Sequence, residues 1–213
     1  MILYHGSTQI IEKPMYEKGK IYNDYGKGFY CTEQKELAGE WACAQYKDGY
    51  INQYELEKGQ LKMLNLLSGK YTVFHWLALL MEYRKVRIST PMMKLGAKWL
   101  KENYLISLEP YDVVKGYRAD DSYFSFARAF VNNEISLEQL SYAMRLGKLG
   151  EQIVLKSERA FESIQFVSYQ IVDNAVYFPK RKERDETARA EFRRLLEQEE
   201  ADGVFIRDLI RGR

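Results

Sequence analysis

Three short segments hold the residue types from which a small-ligand site can be built: Leu3-Tyr4-His5-Gly6-Ser7, Gly26-Lys27-Gly28-Phe29-Tyr30-Cys31-Thr32 and Glu151-Gln152-Ile153-Val154-Leu155. A neutral imidazole offers one donor and one acceptor, which suits His5 to a ligand hydroxyl. Paired glycines let backbone approach a ligand that side chains would exclude, and the same pair also makes an ordinary turn. Tyr30 offers a flat face for a ring to stack on, or a core aromatic following that turn. Glu151 and Gln152 put a carboxylate and an amide at the head of a strand, where neighbours point to opposite faces, so only one of the two can serve a given site. Asp24 either braces the glycine loop or touches ligand. Asp120 and Asp121 either supply a carboxylate or general base, or cap the helix that follows.

These segments need elements to hold them. Met1 to His5 reads as a strand, with turn chemistry at Gly6-Ser7-Thr8. Leu37, Ala38, Trp41, Ala42 and Ala44 recur at helical spacing over Glu33 to Lys47, and Thr32 stands where an N-cap would. Tyr50 to Glu57 and Leu61 to Leu66 read as strands, then Thr72 to Arg87 and Thr90 to Asn103 as helices, the second opened by a cap and a proline. His75, amid Phe74, Trp76 and Leu77, reads as a packed helix residue. Tyr111 to Val114 is a further strand, Tyr123 to Asn132 a helix, and Ser136-Leu137-Glu138-Gln139 a capping box whose helix Gly147 closes. Glu151 to Lys156 and Ser163 to Val172 are strands. Lys180 to Ala201 mixes charges of both signs on a helical frame, and Val204 to Ile210 docks back behind Gly203. Strands and helices do not alternate regularly, which predicts an α+β fold rather than a doubly wound sheet.

Composition sets the bounds. With 213 residues, 46% apolar and 14% aromatic, the chain can bury one substantial core. Thirty-two Lys and Arg against 30 Asp and Glu leave a net charge of +2, which gives no reason to expect a protein that coats nucleic acid or an anionic membrane. The run Lys180-Arg181-Lys182-Glu183-Arg184 is a candidate basic handle for nucleic-acid phosphates, but the interleaved acids favour a salt-bridged solvent helix. Arg207 and Arg211, beside apolar Phe205 and Ile206, are further cations able to approach a macromolecular partner, a reading the sequence does not rank. Cys31 and Cys43 have neither metal-type nor disulfide-framework spacing, no His/Cys/Asp cluster has ligand spacing, and the chain starts on a strand-like run instead of a signal peptide. A cytoplasmic protein without metal is the expectation. Val73 to Met81, the best apolar run, falls well short of the roughly 18 residues of a membrane helix.

In order and context, the three segments resemble the ADP-ribosyltransferase superfamily, particularly its poly(ADP-ribose) polymerase-like branch. There a strand with His-Gly-Ser or His-Gly-Thr precedes Gly-x-Gly-x-Tyr, and a late strand opens with glutamate or a substitute. The closer likeness is to a bacterial group known as domain of unknown function 3990, carried by Leu3 to Ser7, Asp24 to Thr32, Tyr111 to Asp121 and Gln152 to Ala160. In that group's register Gln152 leads the late strand, ahead of Lys156-Ser157-Glu158-x-Ala160; aligned to the polymerase branch, Glu151 does.

The resemblance implies a split β-sheet core over residues 1–167, interrupted by a helical insertion at about 72–147. Residues 168–213 would form a strand and charged-helix appendage packed on the same domain. It implies NAD⁺ as co-substrate, cleaved at the nicotinamide–ribose bond as positive charge develops on the sugar. His5 would bond a ribose hydroxyl, the Gly6 backbone the carboxamide, and Tyr30 stack on nicotinamide. Ser7, Gly26, Lys27, Gly28 and Thr32 would contact the rest of the dinucleotide, with Gln152 or Glu151 orienting the ribose. Glutamine cannot ionise, which argues for single transfer over chain formation. The expected activity is mono-ADP-ribosylation of a macromolecular acceptor, with a possible toxin–antitoxin or phage-defence role and an antitoxin partner. The alternatives are a catalytically weak NAD⁺ or ADP-ribose-binding module and, ranked low on net charge, an RNA 2′-phosphotransferase.

Overall fold

Gly49–Leu56 is a strand buried on both faces, Gly49 and Ile51 on one and Asn52, Tyr54 and Leu56 on the other, and among the described residues seven strands assemble into two sheets. The computed structural model describes residues 1–119, 121–146, 150–197 and 203–212. In chain order these form β1 (Ile2–Ser7), β2 (Phe29–Cys31), α1 (Lys35–Ala42), β3 (Gly49–Leu56), β4 (Met63–Asn65), α2 (Val73–Tyr83), α3 (Pro91–Tyr104) and β5 (Val113–Tyr117). The chain continues through α4 (Asp121–Val131), α5 (Leu137–Leu146), β6 (Glu151–Leu155), α6 (Glu158–Glu162), β7 (Ile164–Val172), α7 (Asn174–Glu197) and α8 (Ile206–Ile210). The fold is α+β, as the irregular order of elements predicted.

One sheet is antiparallel in the order β1-β3-β7, and the other runs β2-β6-β5-β4 with only β4 and β5 parallel. Leu3, Tyr54 and Leu56 of the first sheet pack on Cys31, Val113, Ile153 and Leu155 of the second. The opposite face of the second sheet, through Val114 and Val154, meets the helices α2 to α5, which share one core with Ala188 and Leu195 of α7 and Ile206 of α8. Helix α1 covers the outer face of the first sheet through Ala38 and Ala42 on Ile51. The stretch read as a helical insertion therefore contains β5 between its two helix pairs, and the C-terminal helices close the same core. Among the described residues no helix is long and apolar enough to cross a membrane.

Local signals placed several ends well. Ser136 and Gln139 exchange cap bonds at 2.9 and 3.0 Å, and Thr90 Oγ1 accepts from the Met93 amide at 3.0 Å. His75 turns its Nδ1 back to the Thr72 amide at 3.0 Å and so caps α2. Gly147 lies outside the described residues. Other ends differ. Thr32 is not an N-cap: it is held extended by Tyr4, its Oγ1 accepts from the Gln34 amide, and α1 begins at Lys35. Phe29–Cys31 is a strand rather than a loop because β6, far along the chain, pairs with it. Helix α7 starts at Asn174, where Asp173 Oδ1 accepts from the Ala175 amide at 2.7 Å, and runs through Pro179.

Two of the sequence motifs meet at a buried carboxylate. Asp112 accepts from the Lys62 amide at 2.7 Å, the Ser157 hydroxyl at 2.6 Å and Arg159 at 2.5 Å, tying β5 to the start of α6. Burial alone would raise this carboxyl, but Arg159, Ser157 and the Lys62 amide hold it at about 2. A carboxyl depressed in this way stabilises the fold above its unfolded value, and that contribution is lost as pH falls through about 2. Asp112→Ala is expected to cost about 2–3 kcal/mol near neutral pH. Chemical denaturation across acid pH should show its penalty shrinking below about pH 4.

Candidate active site

The site begins where the two sheets part. Tyr4 and Thr32 exchange backbone hydrogen bonds at 2.8 and 2.9 Å, joining β1 to β2. In an antiparallel pair the next such exchange falls two residues on, between Gly6 and Tyr30. Instead the Tyr30 carbonyl accepts from His5 Nδ1 at 2.7 Å, and the strands diverge around a cleft of about 1060 Å³. His5, Gly28, Phe29, Tyr30, Asp24 and Gln152 all line it.

Burial pushes the His5 imidazole below its ordinary value, so the ring is neutral. The proton on Nδ1 goes to the Tyr30 carbonyl, which leaves Nε2 as an acceptor. The Phe29 ring packs on the imidazole at 4.5 Å. Tyr30 is fixed through its hydroxyl, which donates to the Gly26 carbonyl at 2.6 Å and accepts from the Tyr25 amide at 3.1 Å. Burial raises the phenol well above its ordinary value, so it stays neutral.

Strand register decides between the two candidates at the head of β6. Tyr30 is opposite Val154, so the two share a face, and Gln152 shares it by period-two alternation. Gln152 is buried in the cleft, whereas Glu151 points the other way and pairs with Lys115 at 2.8 Å. Gln152 Nε2 donates to Asp24 Oδ2 at 2.7 Å and to the Tyr117 carbonyl at 3.1 Å. Both partners are acceptors, which fixes the amide and leaves Oε1 as its free hydrogen-bonding atom.

Asp24 is itself buried. Its Oδ2 also accepts from the Ala119 amide at 2.7 Å, and Arg84 stands 3.5 Å from Oδ1. Burial lifts this carboxyl above its ordinary value, against the pull of Arg84, the Ala119 amide and Gln152. Asp24 thus belongs to the cleft as well as to the glycine loop. Asp120 lies outside the described residues, and Asp121 opens α4 with a side chain also outside them.

Several expected ligand contacts are placed elsewhere. Lys27 does not line the cleft; its ammonium sits 5.0 Å over the Tyr16 ring. Thr32 is buried in the β1–β2 joint, and Ser7 lies outside the cleft, accepting from Asn52 at 3.3 Å. Gly26 has φ of +74° and fits beneath the Tyr83 ring, while a Cβ on Gly28 would meet the Leu155 carbonyl at 2.6 Å, so packing requires both glycines. Gly6 turns its Cα toward α1, where a Cβ would lie 1.9 Å from the Ala38 carbonyl oxygen. By the same alternation its N–H and C=O face the opening.

Four residues that complete the cleft carried no recognised signal. Asn52, buried in β3, donates to the His5 and Gln9 carbonyls at 3.3 and 3.2 Å and accepts from the Ile11 amide at 2.9 Å, fastening the loop that walls the cleft. A polar residue at a buried position of an alternating strand was its one available clue. Arg118 lies over the Trp41 ring at 4.9 Å, and the Trp41 indole N–H is buried without a partner among the described residues. Arg84 ends α2 with nothing local to mark it. From the far side α7 adds Phe178, Arg181, Lys182 and Arg189.

No group of acidic, histidine and cysteine side chains that would hold a metal occurs among the described residues. No curated protein and no solved structure matches the chain. A family model described as protein of unknown function DUF3990 matches residues 1–166, which include every residue at the sheet opening and exclude α7 and α8. The chain belongs to this DUF3990 family.

Proposed function

We propose that the protein is a mono-ADP-ribosyltransferase that cleaves NAD⁺ at the nicotinamide–ribose bond and passes ADP-ribose to a macromolecular acceptor. The observation that carries this reading is the opening between β1 and β2, which gathers His5, Tyr30 and Gln152 in one cleft against the buried Asp24. Nicotinamide stacks on Tyr30, with its carboxamide on the outward backbone of Gly6. His5 Nε2 and Gln152 Oε1 accept from ribose hydroxyls. Nicotinamide departs with the electron pair of the broken bond, positive charge grows on the ribose, and an acceptor lone pair closes on C1′ as the acceptor's proton passes to solvent. Gln152 has no charge to set against this. Asp24, hydrogen-bonded behind it, supplies that charge in a water-poor site where it acts strongly.

The test combines the protein with NAD⁺ labelled on the adenylate half and a bacterial lysate. Nicotinamide release and label transfer are the expected results, both lost in His5→Ala and Tyr30→Ala. Binding of NAD⁺ with neither release nor transfer in any lysate would leave only a binding module. A toxin role, which the family resemblance suggests, predicts growth arrest on expression alone and rescue by a protein partner.

The cleft lining gives a 2′-phosphotransferase more weight than net charge did. Nine of its residues are Lys or Arg and three are Asp or Glu, an excess of six against +2 for the whole chain. That reading predicts NAD⁺ consumption only with 2′-phosphorylated RNA. Nicotinamide release with unphosphorylated acceptors removes it.

A further inference from the structure

The cationic excess comes from several segments: Lys13, Lys18 and Lys20 precede β2, and Arg181, Lys182 and Arg189 belong to α7. A dinucleotide pyrophosphate brings only two negative charges, fewer than the excess. Within α7, Arg189 pairs with Asp185 at 2.7 Å, and Lys182 pairs with Glu186 at 3.6 Å as an exposed i,i+4 contact of the kind that exchanges readily. Arg181 donates to the Cys43 carbonyl at 3.3 Å. Arg184 differs: it meets Glu40 at 2.6 Å with both side chains largely covered, which fixes α7 on α1. Helix α7 thus keeps the exposed intrahelical ion pairs that its mixed charges suggested, and one side of it also lines the cleft. Phe178 and Trp41 line the same cleft, with the Arg118 guanidinium over one face of the Trp41 ring. A basic groove interleaved with aromatic faces suits single-stranded nucleic acid, whose phosphates follow the charge while its bases stack.

Resting on the transferase reading, we propose that the acceptor is a single-stranded nucleic acid. Its phosphates run along Arg181, Lys182 and Arg189, its bases meet Phe178 and Trp41, and one nucleotide reaches the His5–Tyr30 end. A peptide acceptor would leave much of this positive charge uncompensated.

Fluorescence anisotropy without NAD⁺ tests the surface apart from catalysis. The probes are fluorescein-labelled 12-nucleotide DNA and RNA single strands, the corresponding duplexes and an acidic peptide. The expected result is single-strand binding, of DNA, RNA or both, at least tenfold tighter than duplex or peptide. Log affinity should fall with log salt at a slope of about −2, as for three phosphate contacts. Arg181→Gln with Lys182→Gln should weaken binding about tenfold and flatten the slope by about 1.4. Phe178→Leu should weaken it about fivefold to tenfold with the slope unchanged. Circular dichroism checks that the variants keep their helices. Salt-independent binding, or tighter binding of the peptide than of either single strand, overturns the proposal even if nicotinamide is released. Strand binding without nicotinamide release in any lysate keeps the surface and overturns the transferase reading instead.

Discussion

Asp24→Asn is expected to lower the rate of nicotinamide release about 10²–10³-fold, the loss typical when a preorganised group opposing transition-state charge is removed. The substitution keeps the side-chain shape and an acceptor for the Ala119 amide, which Asp24 bonds at 2.7 Å. Arg84 retains its bond to the Ala119 carbonyl at 2.7 Å and its place over the Phe124 ring, so the melting temperature should change by only a few degrees, roughly 1 kcal/mol. NAD⁺ affinity should stay within a few-fold, because the stacking and ribose contacts proposed for it do not involve the Asp24 charge. The pH profile gives a second readout. Asp24 acts when ionised and its carboxyl is raised by burial, so activity should climb through an acid limb above the ordinary carboxylate range. The asparagine variant should lack that limb. His5 stays neutral as pH falls below its ordinary value and contributes no limb near neutrality.

Gln152→Glu sharpens the same test. It places a second carboxylate at the head of β6, where Gln152 Nε2 lies 2.7 Å from Asp24 Oδ2. Two carboxylates so close cannot both ionise freely, so the pair would hold one proton and a single negative charge, as Asp24 does beside Gln152, and the rate near pH 7 should not rise. A faster Gln152→Glu enzyme would show that Asp24 is not the charge that serves the ribose.

The second large effect concerns the fold. Gly6→Ala should destabilise the protein by about 3 kcal/mol, which lowers the melting temperature by roughly 6–12 °C. The added methyl would sit 1.9 Å from the Ala38 carbonyl oxygen and 2.8 Å from the Ala42 nitrogen, both backbone atoms of α1. No side-chain rotation relieves such a contact, so α1 must lift from β1 and β3. A thermal melt within about 2 °C of the parent would refute this packing. The melt also separates the effect from chemistry, since the Gly6 backbone faces the cleft and its displacement would lower activity as well.

His5 before a glycine and Tyr30 after a glycine pair were legible as candidate site residues, and the structure joins them through one hydrogen bond of 2.7 Å. The capping box at Ser136 and the cap at Thr90 were equally legible, because caps and amphipathic periods act within a few residues of chain. The glycines in Gly26-Lys27-Gly28 were visible, but not the reason for them: the ring of Tyr83 and the carbonyl of Leu155 come from distant sequence. Lys27 shows the same limit, since a cation beside glycines reads as a phosphate ligand until Tyr16 is found beneath it.

The sequence by itself determined the α+β class, the caps at Thr90 and Ser136 and a short set of candidate site residues. The tertiary structure decided which of them share a cleft. Gln152 rather than Glu151 faces it because β6 pairs with β2 in a register that places Val154 opposite Tyr30. Asp24 joins Gln152 across 128 residues of chain. The basic wall is made by bringing α7 over the opening, which a net charge of +2 averaged over the whole chain conceals. Spacing along a chain records local period and capping, whereas strand register, burial and the gathering of charge depend on contacts between segments far apart in sequence.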